Sequence, residues 1–138
     1  MTALPENVKQ LLDRRNFAHL ATLMPDGSPL STPVWVGREG DHLLVGTGGS
    51  SLKAKNTMRE PRVAISMVDF DDPYTEIQLR GRVIEHRNDE DLRVLDATSI
   101  KYTGKAFPMR GHEDRVALVI EVDRVRFLKL PFEHSTAA

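Results

Sequence analysis

Val45-Gly46-Thr47-Gly48-Gly49-Ser50-Ser51-Leu52-Lys53-Ala54-Lys55-Asn56 carries a strand into a helix across a glycine corner. Residues 42–47 read as a short apolar strand; two glycines break it, and two serines open a basic helix. Glycine lets the backbone turn sharply and approach another group closely. The first amides of a helix lack intrahelical acceptors and carry partial positive charge. Ser51 adds a hydroxyl there, and Lys53 and Lys55 add full charges, so the corner has the chemistry of a phosphate seat. It is not the nucleoside-triphosphate loop, because no Gly-Lys-Ser/Thr follows the first glycine at the required spacing. The same residues also read as a plain turn with an N-cap serine. Lys53 and Lys55 stand two apart and cannot share a helix face, so only one is expected to touch a bound phosphate directly.

Working outward, 138 residues suffice for one compact domain with a real core, and a single domain over 1–138 is expected. Apolar residues make up 40% and charged residues 28%, the balance of a globular protein. A net charge of −1 gives no sign of wholesale nucleic-acid or membrane binding. The absence of cysteine removes disulfides and thiolate metal sites and fits a cytoplasmic protein. No apolar run approaches the roughly 18 residues of a spanning helix.

Upstream of the corner, residues 5–15 read as an amphipathic helix with Val8, Leu11 and Leu12 on one face and Pro5 in its first turn. Residues 18–24 alternate as a strand, Pro25-Asp26-Gly27-Ser28 turns the chain, and 29–36 return as its hairpin partner. Residues 37–41 read as a hairpin loop leading to the strand at 42–47. Downstream, the helix runs over 51–59 and Pro61 closes it. A strand follows at 62–68, an acidic loop at 69–73 and a longer strand at 74–86, where Gly81 marks a bulge or a close backbone approach. Asn88 is expected to cap a third helix, with acid in its first turn and Thr103-Gly104 at its end. An irregular loop at 105–113, two strands at 115–122 and 124–130, and a fraying tail complete the chain. The fold class is therefore mainly β with short helices: six to seven antiparallel strands in a closed or partly closed barrel.

Other constellations carry less chemistry. The five histidines show no metal-ligand spacing, and His19 reads as a structural residue of its strand. No Gly-x-Ser-x-Gly is present. Asp69, Asp71 and Asp72 lack the glycine and distal glutamate of a calcium loop and read as a solvated turn. Arg59, Arg62, Arg80 and Arg82, with Lys53 and Lys55, form a basic set that serves either an anionic ligand or surface pairs with Glu60, Glu76 and Glu85. Trp35, the one tryptophan, lies beside Pro33 in a strand, where it reads as core, interface or the wall of a planar ring.

In order and spacing these pieces resemble the pyridoxamine 5′-phosphate oxidase-like split-barrel superfamily. The matching run is Leu20-Ala21-Thr22-Leu23, Asp26-Gly27-x-Pro29, Pro33-Val34-Trp35-Val36, Val45-Gly46-Thr47, Ser51-x-Lys53-x-x-Asn56, Pro61-Arg62-Val63-Ala64 and Leu79-x-Gly81-x-Val83. Lys101-Tyr102-Thr103-Gly104, Phe107-Pro108 and Arg115-Val116 resemble its branch that uses the deazaflavin coenzyme F420. The resemblance implies a homodimer with cofactor at the subunit interface. It also implies that Thr47, Ser51 and Lys53 hold the cofactor phosphate, with Pro33, Val34 and Trp35 against the ring and Lys55 and Arg59 nearer an acidic tail. The function so implied is hydride transfer between F420 and a small electron-poor substrate. The alternatives are an FMN-binding flavoprotein and a non-catalytic flavin-binding protein. Two apolar rows, Val63-Ile65-Met67 and Leu118-Ile120-Val122, are expected to need cover from a second copy.

Overall fold

The first and last strands of the sheet are consecutive in sequence and only two residues apart. A computed structural model describes residues 2–111 and 114–137. Its strands are β1 (Ala18–Leu23), β2 (Pro29–Val34), β3 (Gly37–Glu39), β4 (His42–Gly48), β5 (Arg62–Val68), β6 (Thr75–Asn88) and β7 (Arg115–Lys129). They lie in one antiparallel sheet in the order β2-β1-β5-β6-β7-β4-β3. Edge strands β2 and β3 are joined only by Trp35 and Val36, so the sheet must curl until its two edges meet. The result is a split barrel, with the split at Trp35-Val36.

Alternation along the strands fills the barrel. Leu20, Ile65, Met67, Ile77, Leu79, Leu118, Ile120 and Val122 all point into one core, as the pleat requires. The rows 63-65-67 and 118-120-122 are thus covered within the chain itself, and the expectation that they need a second copy does not hold. Helix α1 (Glu6–Asp13) adds Val8, Leu11 and Leu12 to this core, with Pro5 just ahead of its first turn as the N-cap. A smaller cluster, Leu44, Val94, Ala117 and Val119, lies on the outer sheet face under α3 (Arg93–Thr103).

Four expectations are corrected. Residues 37–39 form β3 rather than loop, because the turn is made by Gly40 at φ +62°. The two C-terminal strands are one, β7; Arg80 pairs with Arg124 and Gly81 with Val122, leaving Asp123 as the extra residue of a bulge. Glycine is required at position 81 by the close approach of β7 at the bulge: a Cβ there would lie 2.0 Å from the Glu121 carbonyl oxygen. The tail is not wholly loose, since Phe132 and His134 place their rings 5.4 and 6.1 Å from that of Tyr74.

The fourth correction concerns α3. Asn88 ends β6, and its carboxamide oxygen accepts from the Glu90 amide. The cap is Asp89, 1% exposed, whose carboxylate accepts from the Val94 amide at 2.9 Å and the Leu95 amide at 3.1 Å. Leu92 adopts φ +61° between them, which turns the helix start back onto that carboxylate. Asp89→Ala strands two buried donors and is expected to cost about 2 kcal/mol, measurable by urea unfolding.

Residues 105–111 form no regular element, and His112 and Glu113 lie outside the described residues. Among the described residues no helix is long and apolar enough to cross a membrane.

Candidate functional site

At the split in the barrel the backbone is held by α3 rather than by a neighbouring strand. The Val36 amide donates to the Tyr102 hydroxyl at 3.3 Å, and that hydroxyl donates to the Asn16 carbonyl at 2.6 Å. The Lys101 ammonium donates to the Val36 and Leu12 carbonyls, both at 2.6 Å. Burial raises the Tyr102 pKa and lowers that of Lys101 to about 8, because each loses water around its charged form. So clamped, Trp35 stacks on Tyr102 with centroids 5.5 Å apart and planes 8° from parallel, and meets Phe107 edge-on at 6.4 Å.

Trp35 and Phe107 form one side of a cavity of about 320 Å³. Pro33, Val34, Thr47 and Lys53 also line it. These are five of the eight residues named from sequence: Pro33, Val34, Trp35, Thr47 and Lys53. Ser51, the N-cap of α2 (Leu52–Arg59), adjoins through a 3.0 Å bond in which the Thr47 hydroxyl donates to Ser51 Oγ. Ser51 Oγ also accepts from the Ala54 amide at 3.3 Å, so its own proton remains available to a ligand.

The remaining two are elsewhere. Lys55 is exposed and lines no part of this cavity. Arg59 is bound to the Leu23 carbonyl and to Asn56. Arg62, the next cation of the basic set, pairs with Glu60 at 2.6 Å. The basic set is thus not a groove within one chain; its members are spread by helix and strand alternation.

The glycine corner is also occupied. The Gly49 amide donates to the Asp114 carbonyl at 2.6 Å, and the Ser50 amide to the Asp114 carboxylate at 3.0 Å. A Cβ at Gly49 would sit 2.5 Å from that carboxylate. The close approach for which the glycine is required is therefore to Asp114, not to a ligand. What stays open for an anion is the Thr47–Ser51–Lys53 side of α2.

Two cations line the cavity, and among the described residues neither the Lys53 ammonium nor Arg115 Nε has a hydrogen-bond partner. Burial lowers the pKa of Lys53, and among the described residues no carboxylate bonds to it. Arg115 lays its guanidinium 5.3 Å from the Phe107 ring centroid, and its Nε is buried with no hydrogen-bond partner. Such groups are costly unless a ligand satisfies them. Arg115, Phe107, Leu95 and Thr98 were not singled out by local chemistry in the sequence. The resemblance of Phe107 and Arg115 to one branch of a family was the signal that could have found those two.

The family profile for pyridoxamine 5′-phosphate oxidase matches residues 4–129. Among solved structures, an F420 reductase is similar over 89% of this chain and 98% of its own, with 28% identity and a TM-score of 0.81. A conserved hypothetical protein from Mycobacterium tuberculosis is similar over 98% of this chain and 94% of its own, at 23% identity and a TM-score of 0.78. A heme binding protein from Mycobacterium smegmatis matches 92% of this chain and 55% of its own, at 23% identity and a TM-score of 0.71. The last two, below a quarter identity, speak to the fold alone. No curated protein sequence matches.

Proposed function

The chain belongs to the pyridoxamine 5′-phosphate oxidase family, and from that premise we propose that it is an oxidoreductase using the deazaflavin coenzyme F420. The observation that carries this reading is one cavity combining a flat apolar wall with unpaired cations. Trp35, Pro33 and Phe107 line it together with the Lys53 ammonium and Arg115 Nε, which have no hydrogen-bond partner among the described residues. A planar ring joined to a phosphate meets both needs at once. The similarity to an F420 reductase favours the deazaflavin.

In this reading Pro33, Val34 and Trp35 bound the ring, and Thr47, Ser51 and Lys53 take the phosphate. Lys55 and Arg59 lie further out, toward solvent, on the side where an acidic tail would leave. The bound coenzyme supplies the hydride chemistry; the chain binds, orients and shields, and no side chain is assigned as acid or base. The Tyr102–Trp35 stack fixes the plane of the wall, and Phe17, half exposed at the cavity edge, excludes water from one side. A second copy of the chain is the proposed cover of this cavity, making a homodimer with the cofactor at its interface. The substrate is a small electron-poor molecule, and the protein acts in the cytoplasm.

FMN is the second reading. It is favoured by the scatter of Lys55, Arg59 and Arg62, which leaves one compact anion site suited to a terminal phosphate of about two charges. Titrating the purified protein with each cofactor by calorimetry separates the two. The proposal expects F420 to bind at least about tenfold more tightly than FMN; the reverse order establishes the flavoprotein, and no binding of either removes both.

A further inference from the structure

A second cavity, of about 680 Å³, is distinct from the one just described. It lies between the end of α1, the acidic loop and the end of α3, and Phe17 belongs to the walls of both cavities. We infer that this second cavity is a seat for a flat conjugated molecule bearing a carboxylate, held between aromatic rings and the Lys101 ammonium. As the place where the hydride acceptor binds, it deepens the function proposed above and rests on that reading; as a binding site it stands on its own.

The aromatic part follows from three rings. Phe70 is 76% exposed and Phe17 50% exposed, and Tyr102 lies 5.7 Å from Phe17 at the cavity wall. Rings left this open in a concave site offer faces for stacking. The anionic part follows from charge accounting. An ammonium has three donors, and Lys101 places two of them on the Leu12 and Val36 carbonyls. Among the described residues no carboxylate bonds to it. The acid with an electrostatic effect on it is Asp13. That carboxylate is already held by the Arg38 guanidinium through bonds of 2.9 and 2.7 Å. On the same wall Asp69 is taken by Arg14 at 3.1 Å. The lining itself balances three acids against three bases; with Asp13 held by Arg38 from outside the lining and Asp69 by Arg14, Lys101 and Arg15 stand against Asp71 beside the rings. A charge-assisted contact from a carboxylate to a half-buried ammonium is the strong kind. An acceptor seated there would reach past Phe17 toward the smaller cavity.

The test is calorimetry on the whole chain without cofactor, using 2-naphthoate and its uncharged analogue 2-naphthalenemethanol. The acid is expected to bind at least about tenfold more tightly than the alcohol. Lys101→Met should remove that preference, and Phe70→Ala should weaken both ligands about threefold. Should Lys101→Met fail to fold, Arg15→Gln at an exposed position is expected to reduce the preference about threefold instead. Equal binding of acid and alcohol would overturn the inference, as would a preference that survives both charge variants. A preference lost in Lys53→Ala but kept in Lys101→Met would also overturn it, placing the anion in the smaller cavity. A protein that takes 2-naphthoate in this manner yet binds neither F420 nor FMN would keep the site and lose the proposed function.

Discussion

Lys53→Ala is expected to weaken cofactor binding about tenfold or more, a loss of about 1.5–3 kcal/mol, and to flatten its salt dependence. The size follows from where the ammonium sits. Lys53 stands in the first turn of α2, beside the Thr47–Ser51 hydroxyl pair, in the wall of the smaller cavity. Burial already lowers its pKa, so an anion there meets a cation partly stripped of water. Lys55 is exposed, and Lys55→Ala should cost at most about 1 kcal/mol. Ser51→Ala should fall between them, because Ser51 Oγ also caps the helix through the Ala54 amide. Affinities measured at low and moderate salt check all three. A Lys53→Ala protein that binds like the parent, beside a Lys55→Ala protein that does not, would show that the wrong lysine has been placed at the phosphate.

Gly81→Ala is the substitution expected to damage the fold most. Its new Cβ would lie 2.0 Å from the Glu121 carbonyl oxygen and 3.0 Å from the Val122 Cα, both backbone atoms of β7. Neither can swing aside as a side-chain tip would. The β6–β7 ladder must shift at its bulge, next to Val83 and Val122, which are both in the core. The cost is expected to be about 3 kcal/mol or more, near 10 °C in Tm for a chain of this size. Thermal unfolding of the variant measures it, and a change within about 2 °C would show that the bulge is loosely packed.

Gly81 also shows what kind of feature the sequence carries plainly. A glycine inside an alternating strand announces a bulge or a close backbone approach, and Ser51 ahead of a basic run offers a cap. The rows 63-65-67 and 118-120-122 announce a buried face. They do not say what buries it, and the answer is the curled sheet itself. Features that pair distant residues were invisible. Asp123 reads as a strand break because the Gly81–Val122 pair that makes it a bulge residue joins positions 41 apart in the chain. Asp114 fills the Gly49 corner from 65 positions away, and Arg59 is drawn to the Leu23 carbonyl. Local chemistry could mark a cation as available; only the fold shows which cations were already in use. The Tyr102 clamp on Val36 likewise depends on α3 packing over the split, which no spacing in the chain encodes.

The central claim is that cofactor binds against Trp35, and the chain's single tryptophan makes it directly testable. Its indole N–H gives one resolvable signal in a proton–nitrogen correlation spectrum. During titration with F420, and with FMN, that signal is expected to shift or exchange-broaden in step with the calorimetric saturation. A tricyclic ring in contact with the indole imposes a large ring-current change. Saturable binding that leaves the Trp35 indole signal unmoved would place the cofactor somewhere else on the molecule and contradict the site described here.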